Sequence, residues 1–263
     1  MEHETLLRLS VFLGGFAVLA GLERFFPRRE IRNILGRWST NWGMSILNTL
    51  LLRGIAFLLP LLAVGAAMDA SAQGVGLLNH INMPALLEIL IAILVLDFAI
   101  WFQHLITHKV PLLWRLHRVH HADTDIDVTT AIRFHPVEIA LSMFLKIGLV
   151  YLLGPSAVAV VLFEVLLNGT AMFNHANLRL PLWLDRGLRL VLVTPDMHRV
   201  HHSVHRAEHD SNYGFALSIW DRMFGTYIAE PAQGHDEMQI GLQWQDERPR
   251  RLLWSLSLPF LRK

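Results

Sequence analysis

From Pro84 to Gln103 the chain runs twenty residues with only two charges, Glu88 and Asp97. A helix of that length rises about 30 Å, the thickness of the hydrocarbon core of a bilayer. Comparable runs flank it. Leu6–Leu22 is one, with Arg8 placed to snorkel near its outer end, and Trp42–Ala67, interrupted by Arg53, is another. Glu138–Asn174 is apolar again, broken by Gly154-Pro155, a turn signal that makes it a helical hairpin returning to the side it came from. The expectation is an all-α, multi-pass transmembrane protein. Composition agrees: 53% of residues are hydrophobic and 17% charged, against about 25% charged in a typical soluble domain. The mean hydropathy of +0.38 leaves too much apolar surface for a disordered chain.

The basic residues are 20 arginines and three lysines, and they are unevenly spread. Arg24, Arg28, Arg29, Arg32 and Arg37 crowd the connection between the first two runs, whereas Met68–Met83, read as a polar loop, holds no Lys or Arg. The positive-inside rule then puts the arginine connection in the cytoplasm, the N-terminus outside, and the exit of the third run near His104 on the cytoplasmic side. Arg248, Arg250, Arg251, Arg262 and Lys263 form a second patch of the cytoplasmic kind. Acidic Glu2 and Glu4 argue against a cleaved signal peptide. The chain divides into N-terminal membrane helices (1–103), a histidine-motif region with a membrane hairpin (138–174) and a cytosolic cap (104–230), and a C-terminal cytosolic tail (231–263). The absence of cysteine excludes disulfides, thiolate-ligated haem and iron–sulfur clusters. A net charge of +1 gives no pull toward nucleic acid.

Fifteen histidines are present, and eight fall in three clusters. His104 and His108 form HxxxH at the end of the third run. His117, His120 and His121 form HxxHH, and His198, His201 and His202 repeat it. On a helix, positions i, i+3 and i+4 share about 100° of arc, so each cluster can aim two or three imidazoles at one point. Eight ligands exceed the four of a single zinc and suit two metals; imidazole serves iron, copper, nickel and zinc alike. His3, His80, His205, His209 and His235 read as ordinary surface or hydrogen-bonded residues. His135, before Pro136, reads as a helix start rather than a ligand. His175 is undecided on spacing alone. Metal-bound imidazoles pass their second N–H to a carboxylate or carbonyl. The candidates are Asp97, seven residues before His104 and on its face, Asn174, Asp123, Asp127, Glu138 and Asp210.

The ordered stretches "LDFAIWFQHLITHKVPLLWRLHRVHHAD", "TTAIRFHPVEI", "NGTAMFNHAN" and "TPDMHRVHHSVHRAEHDSNYGFALSIWDRMFGTY" resemble the fatty acid hydroxylase superfamily, which includes sterol desaturases and alkylglycerol monooxygenases. "GRWSTNWGMSILNTLLLR" is similar to its bacterial members, so the resemblance runs from about Arg37 to Tyr227. It implies a cytosol-facing di-iron centre that uses O2 to hydroxylate or desaturate a lipid. It implies ligand roles for His104, His108, His117, His120, His121, His198, His201 and His202, with His175 as a ninth. Leu105 and Ala171 stand where many or some members have Arg and His. With no dinucleotide fingerprint, electrons are expected from a separate ferredoxin or cytochrome. The site would lie on the cytoplasmic face of a bacterial inner membrane, with zinc able to replace iron in isolated protein. The rival readings are a di-zinc hydrolase of lipids and a membrane metal transporter or sensor.

Overall fold

The computed structural model describes residues 4–31, 34–58, 62–244 and 246–261. His3, Arg32, Arg262 and Lys263, named above, lie outside them. The helices are α1 (Glu4–Phe25), α2 (Ile34–Leu58), α3 (Ala63–Gln73), α4 (Ala85–Lys109), α5 (Pro111–His121), α6 (Pro136–Leu153), α7 (Ala157–His175), α8 (Leu182–Leu188), α9 (Pro195–His201), α10 (Arg206–His209), α11 (Ile219–Met223), α12 (Gly234–Glu237) and α13 (Leu252–Ser257). Among the described residues there is no strand, only three isolated bridge pairs. The all-α expectation therefore holds.

Three described helices are long and apolar enough to cross a membrane: α4, α6 and α7. Their outer faces carry Leu86, Leu90, Leu94, Leu141, Phe144, Leu152, Val158, Leu162 and Leu166, all exposed, as lipid-facing positions must be. α1 and α2 are 22 and 25 residues long. The second apolar run differs from expectation. It is not one helix over Trp42–Ala67: α2 begins eight residues earlier and ends at Leu58, and α3 starts afresh at Ala63. The Met68–Met83 stretch is likewise not all loop, because α3 continues to Gln73 and a 3-10 turn covers Leu77–His80. α3 is short but has a face of its own. Ala63, Ala66 and Ala67 are buried with Val150 of α6 and Val160 of α7, Ala70 continues the buried face, and small side chains let the backbones approach closely.

The hairpin forms where the sequence signals it. Gly154 ends α6 in the left-handed region (φ 68°), and the Ser156 hydroxyl caps α7 by accepting from the Ala159 N–H. The Glu88 carboxylate on α4 accepts from the Ser156 N–H at 2.8 Å and from its hydroxyl at 2.9 Å, which fixes the tip to the neighbouring helix. At 25 residues α4 rises about 37 Å, longer than the roughly 30 Å hydrocarbon core by about its last turns. Those turns carry His104 and His108.

The cap is built on that end. Residues 231–261, expected as a tail, pack back into it: Met238, Ile240 and Leu258 are buried, and Arg118 donates to the carbonyls of Leu258 and Leu261. Beneath the cap, Arg37 of α2 forms a two-pronged ion pair with Asp123 at 2.6 and 2.8 Å and a third bond to Asp127 at 2.6 Å. Asn41 donates to Asp123 and Thr129 and accepts from Arg133. Burial alone would raise the Asp123 carboxyl, but the Arg37 guanidinium holds it at about 2. A charge that deep persists only when paired in this way.

Candidate metal centre

Each histidine-bearing element has a local reason to form. Pro111 and Pro136 occupy the first turns of α5 and α6, where a missing N–H costs nothing. The Thr194 hydroxyl caps α9, with Pro195 following. Asn212 takes the left-handed conformation (φ 48°) that Asn tolerates better than most residues. Its side chain bonds the carbonyls of Met197 and Ile228, so the loop after α10 closes over α9.

Nine buried histidines converge in two groups. His104, His108, His117, His121 and His201 form the first, and His120, His175, His198 and His202 the second. Within each group the ring nitrogens lie within 4.8 Å of one another. The groups adjoin: the His121 and His202 rings stack with centroids 4.6 Å apart, and those of His198 and His201 are 5.1 Å apart. Each HxxHH cluster aims two of its imidazoles at one point, and its third ring goes to the neighbouring group. The i, i+4 pair His117/His121 serves the first group while His120 turns to the second; His198/His202 serve the second while His201 turns to the first. Two positions four apart differ by about 40° around a helix and two positions three apart by about 60°, enough to divide between neighbouring centres.

The outer nitrogens explain the orientation. Nδ1 of His104 donates to the Tyr213 carbonyl (2.7 Å), that of His117 to Glu138 (2.6 Å), and that of His120 to the Arg133 carbonyl (3.2 Å). His175 donates likewise to the Ala171 carbonyl (2.7 Å) and His201 to the Ser211 carbonyl (2.6 Å). A proton held on Nδ1 leaves a lone pair on Nε2. The Nε2 atoms then face one another at 3.0 Å for His104–His117 and 3.1 Å for His120–His175; His198 and His202, whose Nδ1 atoms are buried without a hydrogen-bond partner among the described residues, continue that row at 3.1 and 3.3 Å. Lone pairs converging at such distances repel unless a cation lies among them. Nε2 of His201 and both ring nitrogens of His121 are buried without a hydrogen-bond partner among the described residues. The donor set therefore fits bound metal ions. Burial, reinforced by neighbouring imidazoles, holds His120, His121, His198 and His202 well below the ordinary histidine range; His201 is lowered mainly by burial. All five are neutral, ligand-ready rings at neutral pH.

Two residues expected beside the ligands do something else. The Asp97 carboxylate accepts from the Trp220 indole at 2.8 Å and the Leu217 N–H at 3.3 Å, and the Asn174 amide donates to the Phe215 carbonyl at 2.8 Å. Both fasten the 213–220 segment to the membrane helices, one step removed from the imidazoles it orients. Asp221, within "WDRMFGTY", holds the same segment by accepting from the N–H groups of Tyr213 and Gly214 and from Trp101. Asp123 and Asp127 pair with Arg37 rather than with a histidine. Of the six candidates, Glu138 meets a ring directly and Asp210 comes within 3.5 Å of His108. His135 caps α6 through Nδ1 and faces the Leu256 carbonyl. His209 was passed over in the sequence. It stacks on Trp114 at 5.2 Å and forms a small potential ligand group with His108 and Asp210. Its signal was its position seven residues after His202, within the same motif stretch.

A cavity of about 640 Å³ opens on the first group, with His104 and His117 in its wall. Phe12, Trp42, Ile100, Phe134, Leu167 and Phe215 supply its apolar lining.

Two adjoining clusters of buried imidazoles able to hold metal ions, beside a largely apolar cavity and on helices long and apolar enough to cross a membrane, are the features the chain has to be compared by. The chain matches the fatty acid hydroxylase family over residues 89–226 and belongs to it. It is similar to ornithine lipid hydroxylase OlsE of Rhizobium tropici, at 25% identity over 262 residues, 96% of this chain and 75% of that protein. It is 35% identical over 143 residues to the alkylglycerol monooxygenase of Homo sapiens, which covers 53% of this chain but only 30% of that one. Fatty acid hydroxylase vlmA of a Lecanicillium species is 29% identical over 267 residues, 85% of this chain and 67% of that protein. No solved structure matches.

Proposed function

We propose that this chain is an O2-dependent hydroxylase of a membrane lipid, using two irons held by the nine histidines and electrons from a separate ferredoxin- or cytochrome-type protein. The carrying observation is that one of two adjoining groups of buried imidazoles opens on a cavity of lipid dimensions. Iron bound there supplies the O2-dependent oxidation of an unactivated C–H bond, which side chains alone cannot perform. His104, His108, His117, His121 and His201 would hold one ion and His120, His175, His198 and His202 the other. Glu138 holds the Nδ1 proton of His117 and so fixes that ring's orientation. The carbonyls of Tyr213, Arg133, Ala171 and Ser211 hold the rings in register. Phe134 and Phe215 exclude water from the cavity end of the site, and the bilayer-facing helices give an acyl chain its route. The site faces the cytoplasm of a bacterial inner membrane, on the arginine asymmetry of the sequence.

The test is reconstitution with a lipid extract, ¹⁸O2 and a reductase–ferredoxin pair. Label in a lipid hydroxyl group, dependent on the donor, is the expected result. A new double bond without label would mean desaturation. Anaerobic turnover with oxygen drawn from water would replace this reading by a di-zinc hydrolase.

A further inference from the structure

Deep in the cavity wall stands a group that metal binding does not use. Lys146 of α6 bonds Glu164 of α7 at 2.8 Å, and Arg8 of α1 pairs with the other oxygen of the same carboxylate. All three side chains line the cavity that reaches His104 and His117. Lys146 is the eleventh of 18 residues in α6 and Glu164 the eighth of 19 in α7, so both sit midway along hairpin arms that are apolar enough to span. Charges at that depth are costly, and a purely structural strut there could be built from apolar residues.

We propose that Arg8, Lys146 and Glu164 form the seat for the anionic head of a single-chain lipid, a carboxylate or a phosphate monoester. The proposal rests on the reading of the cavity as the lipid site. Lys146 and Arg8 both reach the one carboxylate of Glu164. The Lys146 ammonium has three donors and its bond to Glu164 uses one, which leaves a charged donor pair for the oxygens of the head. The intervening wall carries Gln103 and Ser142, hydrogen-bonded at 3.2 Å, and Asn48 and Asn168. A pocket for hydrocarbon alone has no use for that lining.

The spacing has a chemical consequence. Lys146 lies eight residues beyond Glu138, the partner of His117, a rise of about 12 Å; Glu164 lies eleven residues before His175, a rise of about 17 Å. A head on this seat therefore presents to the histidines a carbon remote from the head, and the product carries its hydroxyl remote from the anionic group.

The test is binding without turnover. Full-length protein in nanodiscs, kept anaerobic, is titrated with palmitate, hexadecyl phosphate and neutral methyl palmitate. Wild type is expected to bind one or both anions about tenfold or more tightly than the ester, the scale of a charged hydrogen bond; whichever anion prevails names the head. Lys146→Met removes the preference and Lys146→Arg retains it. Glu164→Gln strengthens it, because the cations lose their internal counter-charge, whereas a strut would lose stability and bind every ligand less well. Equal binding of anions and ester by wild type, or parallel weakening of all ligands by Lys146→Met and Glu164→Gln, overturns the proposal. Neither result depends on the origin of oxygen in the product, so the oxygenase reading stands or falls separately.

Discussion

His117 shows how a single side chain is set for its task. Its Nδ1 proton rests on Glu138, 2.6 Å away, so its Nε2 must face the other imidazoles. Glu138→Gln keeps the shape but weakens the acceptor. Loss of such an outer partner typically lowers metal affinity 10–100-fold, and competition with a graded chelator should show a drop of about that size. The neutral rings of His120, His121, His198, His201 and His202 carry a second expectation. Burial comes first among the causes that lower them. The unfolded chain therefore takes up protons before the folded one, and the folded state is favoured most above pH 6.5. That stability falls as pH drops below 6.5 toward the lowered folded values. Tryptophan fluorescence of chelator-stripped protein should report unfolding in that window; stability constant down to the carboxylate range would contradict it. Eight of the nine histidines were legible because i, i+3, i+4 spacing is written in the letters, and His175 entered only through the family resemblance. Their acceptors were mostly not: the carbonyls of Tyr213, Arg133, Ala171 and Ser211 have no side-chain letter to read. Asp97 was legible as an anomaly, but its partners, Leu217 and Trp220, lie about 120 residues away in sequence.

At the scale of elements, the hairpin was announced by Gly154-Pro155, and the structure adds why glycine is needed. A Cβ on Gly154, already at positive φ, would stand 2.6 Å from the Asn79 amide, 2.8 Å from the Val75 carbonyl and 2.9 Å from the Gly76 Cα. Gly154→Ala should therefore cost about 1–3 kcal/mol, read as a lower midpoint of thermal unfolding in detergent. Gly148→Ala, in the same helix with open space around it, is the control and should cost little. The break between α2 and α3 is written in the letters by Pro60, a proline inside an apolar run, but hydropathy continues across the junction and hides it from a reading by hydropathy alone. Lys146 and Glu164 were legible only in principle. Each is a lone charge in an apolar arm, and only the folded hairpin shows that they meet.

For the whole molecule, the arginine asymmetry predicts an orientation that labelling can check. The native chain has no cysteine, so a single introduced thiol is unambiguous. Gln73→Cys, exposed beside the loop free of Lys and Arg, should react with a membrane-impermeant maleimide on intact cells; Arg206→Cys, exposed on the cap, should react only after lysis. The reverse pattern would invert the topology. The cap also proved larger than the sequence suggested, since its C-terminal stretch is held by Arg118 and by the Arg133 bonds to Pro249 and Ser255.

Because each HxxHH helix lends rings to both groups, neither group can be completed alone. If both groups hold iron, as proposed, an ion in either one ties α5 to α9 and so supports the other. Occupancy and integrity of the cap would then rise and fall together, and the empty form would expose its short helices to quality-control proteases. On that reading, cells deprived of iron should lose this protein faster than its messenger RNA: its abundance would serve as a gauge of metal supply, readable by pulse-chase after a chelator is added.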